Sequence, residues 1–181
     1  MNNNFTQRVR DIMTYSREEA ERLENNYIGP EHLMLAILRE GDGLAIQILK
    51  DFDVNINELK NKIDDKYRQH QEPYDGTNEV VINKSTEKTL KMSILEARLT
   101  KSTETDSEHL LLALLKDKNS DVSDILLGYD IEYTSAFLYI KNILDTRNVG
   151  KEEEEGDKGP VMGPNFTDED DDESFDRSSF D

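Results

Sequence analysis

The chain has 181 residues, 35% hydrophobic and 34% charged, with 40 Asp/Glu against 22 Lys/Arg and a formal net charge of −18. It has no cysteine, which excludes disulfides and thiolate metal sites and fits a reducing compartment. The negative balance argues against direct binding to nucleic acid or to an anionic membrane, because phosphate contacts need clustered Lys/Arg.

The charge is uneven. Residues 148–181 hold three Lys/Arg (Lys151, Lys158, Arg177) against thirteen Asp/Glu, or −10 of the −18, which leaves a mildly acidic −8 for residues 1–147. No apolar run approaches the roughly 18 residues that span a bilayer, and the opening "MNNNFTQRVRD" lacks the apolar segment of a signal peptide. A cytoplasmic protein is expected.

In chain order, Phe5, Val9, Ile12, Met13, Ser16, Ala20 and Leu23 recur at steps of three and four, predicting one apolar stripe on a helix from Phe5 to about Asn25. A loop "NNYIG" follows, and Pro30 suits the first position of a second helix, where its missing N–H costs nothing. Leu33 to Leu38 are all apolar, so this helix is expected to be buried nearly all round until "GDG" stops it. A short third helix covers Leu44 to about Asp51, and a fourth presents Ile56, Leu59, Ile63 and Tyr67. The polar stretch 70–79 reads as a linker. Of the whole chain only "EVVIN" (79–83) is β-like, and it is too short to make a sheet alone. Leu90, Ile94 and Ala97 mark a fifth helix. "TDSEHLLLALLKD" is the sixth, with Asp106 or Ser107 as N-cap. Val122, Ile125 and Leu126 mark a seventh; Tyr133, Ala136, Ile140 and Leu144 mark an eighth. Beyond Arg147, acidic runs and isolated Phe residues cannot offset ordering entropy, so 148–181 is expected to be a disordered acidic linker or tail.

The halves repeat. From Glu31 to Leu38, six of eight residues recur identically 77 positions later, in Glu108 to Leu115. Ser16 and Ala20 recur as Ser93 and Ala97, Ile48-Leu49 as Ile125-Leu126, and Asp53 as Asp130. The pattern predicts an all-α domain of eight helices, built as two four-helix units related by an approximate two-fold axis around a shared core.

Little in the chain indicates chemistry. His32 and His109 occupy repeated positions, but neither has a His, Cys or carboxylate at i+4 to complete a metal site. The chain contains no P-loop, no dinucleotide fingerprint and no GxSxG, and no cofactor is expected. We read it as a non-enzyme.

The motifs "FT" (Phe5-Thr6), "YIGPEHLMLAIL" (27–38) and "ILKDFDVN" (48–55), with second copies "DSEHLLLALL" (106–115) and "ILLGYDI" (125–131), resemble the Clp amino-terminal, or Clp repeat, domain that fronts the ClpA, ClpB and ClpC ring unfoldases. "NYIGPEHL" and the Glu-His pair in both copies bring it nearest the ClpC type. The resemblance implies a Clp repeat domain over 1–147, with repeat one at 4–69 and repeat two at 81–146. It also implies a role: docking protein substrates and adaptor proteins for a hexameric AAA+ unfoldase that feeds the Clp peptidase. ATP and Mg belong to downstream modules that this chain lacks. The expectation is the front module of such an unfoldase; the alternative is a free-standing Clp-repeat protein acting as adaptor, inhibitor or scaffold.

Some ClpC-type domains recognise phosphorylated arginine. If Gly29 and Asp106 are N-caps, Glu31 and Glu108 stand at the second helical position. There a carboxylate is favoured by the helix dipole by roughly 0.3–1 kcal/mol without any ligand. The same carboxylate can also pair with a guanidinium while free backbone N–H groups hold a phosphate. Thr6, Arg8, Glu31, His32, Glu108 and His109 are therefore the candidate phosphoarginine or adaptor contacts. Tyr15, Tyr27, Met92 and Tyr129 are candidates to line grooves between the repeats.

Overall fold

The computed structural model describes residues 4–68 and 79–158. Among these residues the fold is all-α. Repeat one holds α1 (Gln7–Arg22), α2 (Pro30–Glu40), α3 (Leu44–Asp51) and α4 (Ile56–Arg68). Repeat two holds α5 (Lys84–Leu99), α6 (Ser107–Lys116), α7 (Asp121–Leu127) and α8 (Tyr133–Lys158). The bounds of α5 are those of α1 shifted by 77. Helix α8 continues past Arg147 to Lys158, so its helix extends into the stretch read as tail; residues 159–181 and the linker 69–78 lie outside the described residues. By contacts the chain divides within α8, into Met1–Lys141 and Asn142–Asp181.

The core is built on α2 and α6. Pro30 to Leu38 of α2 and Ser107 to Leu115 of α6 are buried without a break. This is the expected condition of a helix apolar on all sides. Helix α1 packs on α2 and α5 on α6, and α2 also contacts α5, α6 and α7. Loop geometry follows the repeat. Glu24 and Lys101 both have φ of 58°, and Asp53 and Asp130 have φ of 61° and 63°. The short polar side chain of aspartate is among the few that tolerate this left-handed region, which accounts for its recurrence.

The two repeats are joined by crossed backbone pairing. Strand β1 (Tyr27–Ile28) runs parallel to β2 (Val81–Ile82), with Ile28 opposite Ile82. The two-fold mate of that pair is the bridge between Phe5 and Thr105. Asn83 N–H donates to the Ile28 carbonyl and Thr6 N–H to the Thr105 carbonyl, both at 3.1 Å. "EVVIN" thus finds its partner in the segment read as the loop "NNYIG". Phe5 belongs to this pairing and not to α1, which Thr6 caps by accepting from Val9 N–H.

Of the α5 stripe Leu90, Ile94 and Ala97, only Ala97 is fully buried. On α5 the buried residues are Thr86, Thr89, Ser93, Glu96 and Ala97, while Leu90 and Ile94 are only half-buried. The small polar residues bury at little cost because their hydroxyls are satisfied: Thr86 by the Ile28 carbonyl, Thr89 by Ser85 and Ser93 by Leu90. Leu90 and Ile94 are thereby left at the edge of the core, beside the exposed Leu95.

Candidate functional site

The helix starts are built as the repeat predicts. Gly29 caps α2 and Asp106 caps α6, and each helix places His at its third position. His32 Nδ1 accepts from Gly29 N–H and His109 Nδ1 from Asp106 N–H, both at 2.9 Å. The other ring nitrogen contacts Asn25 Oδ1 at 2.7 Å in one copy and Thr100 Oγ1 at 2.9 Å in the other. A ring that accepts at Nδ1 carries its proton at Nε2 and is neutral. Burial lowers both histidine pKa values to about 4. His32 and His109 are 0% and 1% exposed; they lock the cap from inside, one residue along from the carboxylates.

Those carboxylates differ in setting. Glu31 is buried and its Oε2 accepts from the Tyr27 hydroxyl at 2.8 Å. Tyr67 lies close enough for Glu31 to help raise its pKa, burial being the larger cause. Glu108 is also buried, beside a charged cluster. The crossed pairing brings Thr6 and Arg8 of repeat one to this α6 end. Thr6 Oγ1 donates to Asp106 Oδ1 at 3.2 Å, Arg8 approaches Asp106 at 3.1 Å, and Arg8 Nε stands 3.4 Å from Glu40 Oε1. Burial alone would lower the Arg8 pKa; Asp106, with Glu40 and Glu108, outweighs it and raises it. The counterparts of Thr6, Arg8 and Asp106 at the α2 end are Asn83, Ser85 and Gly29, so only the α6 end carries this arginine.

Gly43 closes the α6 end. Its φ is +91°, and a Cβ there would lie 2.9 Å from Ser107 Oγ and 3.1 Å from Arg8 Cδ. Ser107 Oγ is buried and, among the described residues, makes no hydrogen bond.

A second feature escaped the sequence reading. Phe5, Ile82, Leu90, Ile94 and Leu95 line an open groove of about 650 Å³ along α5. The residues proposed for such a surface lie elsewhere: Tyr15 under the Arg39 guanidinium at 4.5 Å, Tyr129 under Lys62 at 4.5 Å, Tyr27 on Glu31, and Met92 in a small cavity with Lys88 and Lys116. The available signal was Leu90 and Ile94, which in the sequence serve only to mark the fifth helix. Among the described residues no three His, Cys, Asp or Glu are placed to hold a metal, and no helix is long and apolar enough to cross a membrane.

The family model of the Clp repeat (R) N-terminal domain matches residues 4–129. The chain belongs to the Clp repeat N-terminal domain family. It is similar to the chaperone protein ClpB of Oceanobacillus iheyensis, 24% identical over 162 residues, or 88% of this chain and 20% of that protein. It is also similar to the ATP-dependent Clp protease ATP-binding subunit ClpC of Staphylococcus aureus, 26% identical over 132 residues, or 73% and 16%. The chain therefore spans about a fifth or less of these relatives' length. Two solved structures share the fold. The N-terminal domain of the ClpV1 ATPase from E. coli has a TM-score of 0.65 at 19% identity, covering 79% of this chain and 86% of that one. The Hsp104 N-terminal domain from Candida albicans has 0.63 at 16% identity, covering 75% and 87%.

Proposed function

We propose that this Clp repeat domain is the substrate- and adaptor-receiving module of a ClpC-like AAA+ unfoldase that feeds a peptidase, and that it binds polypeptide without chemistry of its own. The observation that carries this reading is the outward apolar groove on α5, joined to a family whose relatives here are named as chaperones and Clp protease subunits. ATP, Mg and the hexameric ring belong to modules encoded downstream of these residues. A coding sequence that continues in frame into a Walker A motif supports the assignment; a stop codon directly after Asp181 overturns it in favour of a free-standing binding protein.

The same reading assigns phosphoarginine recognition to Glu31 and Glu108. Each carboxylate stands in the first turn of a helix, where it can pair with a guanidinium while the backbone N–H groups face a phosphate. Thr6 and Arg8 assist at the α6 end only, and His32 and His109 hold the two caps. Titration of free phosphoarginine by calorimetry is expected to give measurable binding in the native chain and at least tenfold weaker binding in the Glu31→Ala/Glu108→Ala variant. Equal affinity, or none in the native chain, removes the phosphoarginine assignment.

A further inference from the structure

The internal repeat supplies its own control for the α5 groove. Helices α1 and α5 bury matching faces: Ser16, Glu19 and Ala20 in one, Ser93, Glu96 and Ala97 in the other. Their outer positions diverge. Where α5 has Ile94, Leu95 and Leu99, α1 has Arg17, Glu18 and Arg22. On α1 all three are paired: Arg17 with the Val80 carbonyl, Glu18 with Arg39, and Arg22 with Glu19 and Asp64. The fold thus accepts a polar, ion-paired outer face at this register. On α5 it instead leaves Leu95 and Leu99 46% and 55% exposed, with Leu95 in one groove with Ile82, itself 37% exposed. Packing gives no reason for this surface, and contiguous exposed apolar residues mark interaction sites.

The charges around the groove indicate what fits. Lys91 and Arg98 line it. Neither forms an ion pair with a carboxylate among the described residues, although Glu87 lines the same groove. Their counterparts on α1 are Thr14 and Glu21. Two cations that form no ion pair among the described residues, beside an apolar trough on a chain of net charge −18, form a local site for carboxylates.

We propose that the α5 groove docks a short segment of another protein in which apolar anchors are flanked by carboxylates, and that it rejects the same anchors flanked by lysine. Leu90, Ile94 and Leu95, with Phe5 and Ile82, take the anchors; Lys91 and Arg98 select the flanks. This deepens the docking function proposed above and rests on it.

The test uses the full chain and three fluorescein-labelled 15-residue peptides, read by anisotropy at physiological salt: leucines among glutamates, leucines among lysines, and serines among glutamates. The leucine–glutamate peptide is expected to bind at least tenfold tighter than either of the others. Lys91→Glu/Arg98→Glu should reverse the preference between the two leucine peptides, and Leu95→Ser should weaken both. These positions are exposed, so an unchanged thermal melt verifies the fold. Equal affinity for the two leucine peptides, lost in Leu95→Ser, overturns the charge selection while leaving the docking function standing. No binding of either leucine peptide overturns docking at this groove as well. A concentration-dependent dimer in sedimentation, abolished by Leu95→Ser, assigns the groove to a second copy of the chain and overturns the proposal.

Discussion

Repeat one and repeat two share a backbone plan and differ at their surfaces. The shared part is what each copy needs to close a core: the buried α2 and α6, the His-locked caps, and a buried glutamate on the first helix of each repeat. Glu19 pairs with Arg22 and Arg39. Its counterpart Glu96 takes the Tyr133 hydroxyl at 2.7 Å and Lys116 at 3.5 Å. Divergence falls on groups the core does not constrain. Repeat one covers α1 with arginines, and repeat two leaves α5 apolar. Repeat one also lends Thr6 and Arg8 to the α6 end, while repeat two returns only Asn83 and Ser85 to the α2 end. A duplicated domain can thus keep one fold while its copies present different surfaces.

The largest effect that tests this comparison comes from the common core. Leu33 and Leu110 are equivalent and both 0% exposed, so truncating either to Ala should cost about 2–5 kcal/mol. If the halves share an interior, both variants unfold in one transition with similar losses. Two separate transitions in denaturant would break the picture.

The pH dependence comes next. Each histidine titrates near 4 in the folded chain and near its ordinary 6.5 when unfolded, because burial disfavours the charged ring. The unfolded state therefore binds more protons as pH falls. The stabilisation is fully present above pH 6.5 and is lost progressively down to about 4, on the order of 3 kcal/mol per histidine. Denaturant melts between pH 7 and 4 should show this slope, and His32→Gln or His109→Gln should each flatten it by a similar amount. An unchanged slope in either variant would mean that the two caps are not equivalent.

A smaller effect sharpens the asymmetry. Gly43→Ala forces a side chain into a left-handed backbone and against Ser107 and Arg8, at a cost of about 1–3 kcal/mol. The equivalent Ser120 caps α7 in extended backbone by accepting from Ser123 N–H; Ser120→Ala should lose only the cap, about 1 kcal/mol. The smallest effect is Leu95→Ser, within roughly 0.5 kcal/mol as for other surface changes. Thermal melts rank all three.

Much of the frame was legible in the sequence. A helix apolar on all sides can only be central, so Leu33 to Leu38 and their copies located the core. Gly29, Pro30 and Asp106 marked helix starts because each suits a cap or first turn. Two features resisted reading for physical reasons. Spacing of three and four shows that residues share a face, but not how deeply that face is buried; on α5, Thr86, Thr89 and Ser93 took the interior once their hydroxyls found carbonyl partners, and Leu90 and Ile94 were left half-buried at its edge. The crossed pairing of Phe5 with Thr105 and of Ile28 with Ile82 joins residues far apart in sequence through two-residue strands too short to leave a periodic signal. For that reason Thr6 and Arg8 could be nominated without their position at Glu108's end of the molecule. Buried Asp64 lies beside the Ile63 stripe and is held by Arg22 and Lys60. Burial raises its pKa, and those hydrogen bonds more than reverse the effect.

The most direct test of the central proposal, that the outer face of α5 receives polypeptide while the matching face of α1 does not, is a residue-resolved NMR titration of the labelled chain with a permanently unfolded protein such as carboxymethylated α-lactalbumin. Amide shifts concentrated on residues 84–99, with Phe5 and Ile82, and none on residues 10–22, are the predicted result. Shifts spread equally over α1 and α5, or confined to α1, would contradict it.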